Sequence, residues 1–319
     1  MDRKPKFFCV SANPAIDKQA RATKLQLGAV NRLREVVAEP GGKAAHVALA
    51  LTALGETPLW IGFAGGTNGR ELVAGLIAEG IQTRCVETRV PTRINLAILD
   101  ETGVVTEVLE PGGEVSESEI SLFLETCTSA FVAAGGDAQV IFSGSLPPGA
   151  PRDFYSQLIC AARSAGCKTF LDTSGTALEL GLQSRPDVAK PNREEAELLT
   201  GKAITGVRDA QMVVEEILAR GAGSVALSLG RDGLLWCPSI NQPIYWARAR
   251  IVEARSAVGS GDATMAGLAQ ATAQGLSAED TVKFAAVCGA ANCLVASPGK
   301  IQRSDVRELM AATVVEEIA

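Results

Sequence analysis

Histidine is almost missing from this sequence: among 319 residues, His46 is the single one. A zinc centre built on paired histidines is therefore excluded, and a Ser-His-Asp hydrolase would depend on that one imidazole. Also absent is the C-x-x-C spacing, although cysteine itself is not scarce at eight residues. Most of these thiols lie in apolar runs such as Phe7-Phe8-Cys9-Val10, which points to buried, reduced cysteines of a cytoplasmic protein. Positive charge is in deficit. The formal net charge of −6 provides no basic field for nucleic acid, so an anionic substrate has to be held by a few local cations. No apolar run reaches the roughly 18 unbroken residues of a membrane span. The first one, residues 7–10, is too short for the core of a signal peptide. The expectation is a cytoplasmic protein with neither membrane nor nucleic-acid partners.

What is present fits a globular α/β protein. Hydrophobic residues make up 47% and charged residues 21%, which argues against disorder. Short apolar runs alternate with helical patterns, the signature of a parallel sheet covered by helices. Strands are expected at 7–11, 59–64, 140–143, 169–172, 188–189 and 225–229. Helices are expected at 42–55, 70–79, from the capping box Ser116-Glu117-Ser118-Glu119 through about 134, and at 262–274, 278–296 and 305–318. Two stretches, about 17–37 and 90–109, break this rhythm with alternating, strand-like sequence. Residues 93–99 and 104–108 flank Glu101-Thr102-Gly103 and read as a hairpin. The organisation expected is one domain over 1–319, with a small β-sheet from these stretches as a lid. Two surface hairpins with no closing role would carry the same pattern.

Phosphate chemistry has one good candidate location. No G-x-x-x-x-G-K-[ST] loop exists, because neither Gly201-Lys202 nor Gly299-Lys300 is followed by Ser or Thr. Gly221-Ala222-Gly223-Ser224-Val225-Ala226 has the letters of a dinucleotide fingerprint but precedes a strand instead of following one. Gly259-Ser260-Gly261-Asp262, by contrast, follows strand-like sequence (244–254) and opens a helix of small residues. Its backbone N–H groups and the helix N-terminus suit a transferring phosphoryl group, and the Asp262 carboxylate suits a hydroxyl proton. A capping Asp after a flexible turn would look the same. Asp17 lies just beyond the first strand and suits paired sugar hydroxyls, or is a turn residue. Gly42 and Lys43 open the next helix with a close backbone approach and a cation. Arg93 starts the hairpin and suits an anionic substrate group. Asn192 and Glu195, three apart, either order water around a Mg²⁺ held by phosphates or form an N-cap pair.

Eight motifs now stand in order along the chain: Asn13-Pro14-Ala15-Ile16-Asp17, Gly41-Gly42-Lys43, Thr92-Arg93-Ile94-Asn95, Gly144-Ser145-Leu146-Pro147-Pro148-Gly149, Asp172-Thr173-Ser174-Gly175, Lys190-Pro191-Asn192-Arg193-Glu194-Glu195, Ser228-Leu229-Gly230 and Gly259-Ser260-Gly261-Asp262. In this order the sequence resembles the ribokinase-like (PfkB) carbohydrate kinases, in the branch of 1-phosphofructokinases and tagatose-6-phosphate kinases. The resemblance implies a doubly wound α/β sandwich with a small β-lid that often serves for homodimerisation. It implies Asp262 as catalytic base, with the backbone of Gly259, Ser260 and Gly261 as anion hole. Asp17, Gly42, Lys43, His46, Arg93 and Ser145 would line the sugar-phosphate site. Lys190, Asn192, Ser228, Gly230, Gly233 and Asn292 would lie along ATP, and Asn192 with Glu195 would act on Mg²⁺ through water.

Two departures stand out. The family's helix opening is usually G-G-K-G-x-N, its Asn contacting the sugar, whereas this chain has Gly42-Lys43-Ala44-Ala45-His46. Ala44 restricts the backbone where the pattern has a third glycine, and His46 is bulkier than a carboxamide. The reaction expected is transfer of the γ-phosphoryl of ATP to a primary hydroxyl of fructose 1-phosphate, fructose 6-phosphate or tagatose 6-phosphate. A kinase for a free sugar or nucleoside, and a catalytically idle sugar-phosphate sensor, are the alternatives.

Overall fold

The structure is a computed structural model and describes residues 5–251 and 253–318. Strand β1 (Phe7–Ser11) is buried along its whole length. Its side chains alternate between two cores: Phe7 and Cys9 join one, Phe8 and Val10 the other. Burial on both faces is why the strand reads as an unbroken apolar run. It pairs in parallel with β4 (Leu59–Gly65) and β8 (Gln139–Ser143). The sheet continues through β5 (Gln82–Thr88) beyond β4, and through β9 (Lys168–Asp172), β10 (Val188–Ala189), β11 (Ser224–Ser228), β12 (Leu234–Cys237), β13 (Ile244–Arg248) and β14 (Val314–Ile318) beyond β8. Its ten strands run β14-β13-β12-β11-β10-β9-β8-β1-β4-β5, parallel from β5 to β11 and antiparallel from there to β14.

Helices cover both faces, so the fold is doubly wound. One layer holds α1 (Lys43–Ala53), α2 (Gly66–Ala78), α8 (Ser260–Gln274), α9 (Ala278–Cys293) and α10 (Arg303–Ala312). The other holds α3 (Glu117–Ala134), α4 (Phe154–Ser164), α5 (Gly175–Gln183), α6 (Arg193–Thr200) and α7 (Val207–Ala219). The strand order reverses between β1 and β8. Crevices open beyond the carboxyl ends of strands at such a switch point, and here Asn13 Nδ2 reaches across it to Ser145 Oγ at 3.1 Å.

The small residues of α8 have a packing reason. A Cβ on Gly267 would lie 2.9 Å from Ala285 Cα in α9, and one on Gly289 would lie 2.3 Å from Thr264 Oγ1. The two helices are thus in backbone contact beneath the site. Gly267→Val should cost about 1–3 kcal/mol through overpacking; a urea midpoint equal to that of the native protein would contradict this contact.

Both stretches that interrupt the βα rhythm supply strands to one separate sheet. β2 (Ala15–Ala22), β3 (Arg34–Gly41), β6 (Arg93–Asp100) and β7 (Val105–Leu109) lie in the order β3-β2-β6-β7. The hairpin forms as expected between β6 and β7, its turn held by Asp100 Oδ1 accepting from the amides of Thr102 and Val104. Pairing of β2 with β6 sets Ala15 opposite Arg93 and Asp17 opposite Asn95, and pairing with β3 brings Gly41 beside Ala15.

One expected helix is corrected. The segment 305–318 is helical only to Ala312, and Val314–Ile318 pairs with β13 as the sheet edge. Thr313-Val314-Val315 is β-branched and favours a strand once an open edge is at hand. Of the strand-like run 244–254, of which residue 252 lies outside the described residues, β13 takes Ile244–Arg248, and the helix expected to 296 ends at Cys293.

Candidate active site

The carboxyl ends of β1, β8, β9, β10 and β11 and the amino ends of α1 and α8 converge on one crevice. Helix α8 is preceded by its N-cap Gly259, whose φ of 80° is left-handed and costs glycine little. A Cβ there would lie 2.6 Å from Pro298 Cβ. Ser260 N–H donates to Ala257 O and Asp262 N–H to Gly259 O. Among the described residues the amides of Gly259 and Gly261 have no backbone acceptor, and they stand at the positive end of the helix. A Cβ on Gly261 would come within 3.3 Å of Lys190 Nζ, so a buried ammonium lies directly under this loop.

Asp262 occupies the first turn of α8 and is 5% exposed. Its Oδ2 is 2.9 Å from His46 Nδ1, and among the described residues Oδ1 has no hydrogen-bond donor. His46 Nε2 lies 3.0 Å from Asp17 Oδ2. One imidazole therefore bridges the two carboxylates. Burial pulls its pKa down, but the two acceptors outweigh burial and push it up to about 10. Asp17 also accepts from Gly42 N–H at 3.2 Å and from Asn95 Nδ2 at 2.8 Å. Burial pushes the Asp17 carboxyl up, yet His46, Gly42 and Asn95 together hold it below the ordinary carboxylate range.

A second charged group stands beside the first. Asp172, fully buried at the end of β9, faces Lys43 Nζ at 2.9 Å and Lys190 Nζ at 3.5 Å. Lys43 also approaches Glu195 Oε1 at 3.7 Å. Burial works against the Lys43 ammonium, but Asp172, Glu195 and Asp262 raise its proton affinity and keep it charged. Asn192 and Glu195 form the reciprocal capping box of α6: Asn192 Oδ1 accepts from Glu195 N–H, and Glu195 Oε2 from Asn192 N–H. The capping reading of this pair is thus realised, while Oε1 of Glu195 still faces the crevice cation. Ser228 bridges to Asn192 beside β10, and Gly230 opens the turn that Gly233 closes toward β12. A Cβ on Gly233 would lie 2.3 Å from Ala247 O, which only glycine avoids.

Two expected residues occupy different surroundings from the rest. Asn292 is 1% exposed and committed behind the glycine loop, donating to Val258 O at 2.7 Å and accepting from Gly299 N–H at 2.8 Å. Arg93 lies at the root of the small sheet and donates to Glu110 O and Asn13 O, while its buried Nε has no partner among the described residues. Burial draws the guanidinium pKa down against the pull of Asp17 and Glu110. Such a cation has unused donors.

Residues 7–303 match the profile of the pfkB family of carbohydrate kinases. The chain belongs to that family. Phosphofructokinase-2 from Escherichia coli, solved in complex with fructose 6-phosphate, is similar at 28% identity and a TM-score of 0.87, over 97% of this chain and 99% of that one. The same E. coli protein in its tetrameric inhibited form superposes with a TM-score of 0.87 at 29% identity, over 97% of this chain and 99% of that one. A Thermotoga maritima protein described as a possible 1-phosphofructokinase shares the fold, with a TM-score of 0.88 at 23% identity over 98% of this chain and 99% of that one. The chain is therefore a phosphofructokinase-like sugar kinase, a phosphotransferase with an alcohol acceptor. Sugar kinases of the pfkB family use ATP.

Within this pfkB kinase the sequence reading overlooked Asp172 as a site residue. It was visible only as the head of an Asp-Thr-Ser-Gly run. The available signal was an acidic residue at the carboxyl end of an apolar strand, the same signal that singled out Asp17. Asn13 and Asn95 were passed over too: one spans the switch point and the other holds Asp17.

Proposed function

We propose that this kinase transfers the γ-phosphoryl of ATP to a primary hydroxyl of a ketohexose phosphate, with Asp262 as general base. The observation that carries the reading is Asp262 itself: a buried carboxylate with one oxygen open, on the helix whose glycine-loop amides and underlying Lys190 form a nest for an anion. The acceptor hydroxyl gives its proton to Oδ1 of Asp262 as its oxygen attacks phosphorus in line. Charge that develops on the transferring group falls on the Gly259, Ser260 and Gly261 backbone, on α8's amino end and on Lys190. Asp17, Gly42, Lys43 and Ser145 border the sugar. Ser228, Gly230, Gly233 and Asn192 border the nucleotide, and Asn292 braces the loop from behind. The small sheet closes over the acceptor and excludes water.

Charge counting supports a divalent cation. Lys43, His46, Arg93 and Lys190 face Asp17, Asp172, Glu195 and Asp262, so the crevice has no cationic surplus to offer a triphosphate. Among the described residues no three potential ligands cluster as a protein cage for a metal. Both facts fit Mg²⁺ held mainly by phosphates and water, with Glu195 and Asn192 orienting that water. When bound, Mg²⁺ would neutralise phosphate charge. The small sheet also exposes Val36 and Val37 on β3 and Val108 and Leu109 on β7, apolar surface that suits a homodimer through the lid.

Fructose 1-phosphate, fructose 6-phosphate, tagatose 6-phosphate, the free ketohexoses and a nucleoside, assayed by ADP release with and without Mg²⁺, test the proposal. A sugar phosphate should be preferred and turnover should need Mg²⁺. A preference for a free sugar or nucleoside would overturn the acceptor class, and ligand-dependent thermal shifts without ADP release would indicate a sensor. Arg93→Ala should raise KM for the sugar phosphate by roughly 10–100-fold, since a hydrogen bond to a charged group contributes about 1.5–3 kcal/mol. An unchanged KM would remove Arg93 from the acceptor's phosphate.

A further inference from the structure

We propose that His46 is a positioning residue for the transfer: as an imidazolium it ties Asp17 to Oδ2 of Asp262, so that Asp262 meets the acceptor hydroxyl through Oδ1 alone. The inference rests on Asp262 being the base. It begins from donor counting. Ionised carboxylates only accept, and a neutral imidazole has one N–H. Yet both ring nitrogens of His46 stand at hydrogen-bond distance from a carboxylate oxygen, Nδ1 at 2.9 Å and Nε2 at 3.0 Å. Both bonds are satisfied together when the ring carries both protons.

The surroundings favour the doubly protonated ring. His46 is 5% exposed, with a helical neighbour on each side buried as well. Asp17 reaches it from β2 and Asp262 from α8. Lys43, on the same helix, acts on Asp262, and Arg93 on β6 acts on Asp17, so each carboxylate also has a second cation nearby. Glu39 on β3 is turned away toward Lys300 and Ser297. The elevated pKa of the ring agrees with this accounting.

An asparagine at this position, which the family's usual motif has, would offer an amide donor but no charge. Two buried carboxylates would then repel each other across it. With histidine the trio has one net negative charge, Asp262 is fixed from one side, and Oδ1 is the oxygen left to accept. The bridge also spans both parts of the molecule: Asp17 belongs to the small sheet and Asp262 to the main domain. Movement of that sheet is thereby transmitted to the base through one ring.

The single histidine makes the test direct. In ¹⁵N-labelled protein without a histidine tag, the imidazole gives one isolated set of long-range ¹H–¹⁵N correlations. Expected are two protonated nitrogens from pH 6 to 9, and a titration that falls into that window in Asp17→Asn and in Asp262→Asn. An ordinary titration near pH ~6.5 in the native protein would overturn the bridge. The kinetic arm uses His46→Gln and His46→Asn with the best acceptor. Removing the cation takes away a group that holds the Asp17 carboxyl low beside the base, so the acid limb of kcat/KM should move upward by about one unit. Below the shifted limb turnover should fall about tenfold with KM for ATP unchanged, because there one pKa unit corresponds to a tenfold change in ionised base. A variant with native turnover and an unmoved acid limb overturns the positioning role. The two readings fail separately: no turnover on any acceptor with an intact imidazolium signal sinks the kinase assignment, and an ordinary ring titration in an active enzyme sinks the bridge.

Discussion

Asp262→Asn lowers kcat by ~10²–10⁴-fold, the usual contribution of a general base, and leaves KM for ATP nearly unchanged. The substitution preserves shape. The new carboxamide can still accept the Nδ1–H of His46 through its oxygen, so α8 and its glycine loop keep their places. What disappears is proton affinity at the atom facing the acceptor. At 1.36 kcal/mol per decade, the barrier rises by about 2.7–5.4 kcal/mol. ATP should bind as before, because Ser228, Gly230 and Gly233 belong to the β11–β12 end of the crevice. ADP release measures the first effect and an ATP-dependent thermal shift the second. Turnover within a few-fold of native would sink Asp262 as the base. Asp262→Ala is an informative companion: it removes the base and also the oxygen that accepts from His46 Nδ1–H, so it should lower stability more than Asp262→Asn does.

Much of the main sheet is legible in the sequence because burial on both faces writes its strands as short unbroken apolar runs. Residues 7–11 are recognisable on that ground alone, and the structure places them at the centre. Helix starts with reciprocal caps are equally plain: Ser116 with Glu119 and Asn192 with Glu195 both close as capping boxes. Periodicity failed at residues 314–318. Their fate depends on an open edge at β13, supplied by sequence some 70 positions upstream. The same reason explains what could be read of the site. Gly259 to Asp262 reads locally as a turn and a helix start, and motif order supplied the rest. His46 read locally as a bulky replacement for a sugar-contacting amide. Its position between two carboxylates follows from a contact across 216 residues of sequence, beyond any local pattern. Asp172 was missed because its partners, Lys43 and Lys190, come from different crossovers. No spacing in the chain announces the group that they form.

Asp172→Asn destabilises the protein by about 3–5 kcal/mol, since removing one member of a buried ion group strands the other. Lys190 is 2% exposed, and Asp172 is the carboxylate facing its ammonium at 3.5 Å. Lys43 suffers less, being partly solvated and near Glu195. Lys190→Met should therefore cost less than Asp172→Asn, because Asp172 keeps Lys43 at 2.9 Å and accepts from Ser143 Oγ. The double variant should recover much of the loss, because the two sites are coupled. Urea midpoints of the four proteins measure this, and additivity of the single effects would show the pair to be independent. The pH dependence has a definite sign. Burial pushes the Asp172 carboxyl up, but Lys190 and Lys43 prevail and hold it below the ordinary range. Its contribution is complete above the unfolded carboxyl value of about 3.9 and disappears as pH falls through the lower folded value. Native protein should therefore lose stability on acidification more steeply than Asp172→Asn. Equal slopes would mean that Asp172 is not the carboxylate that holds these cations. The double variant separates fold from function: with Lys190 gone, the ammonium under Gly261 is gone too. A well-folded protein with poor phosphoryl transfer is the expected result, and it would place the group's importance in catalysis more than in stability.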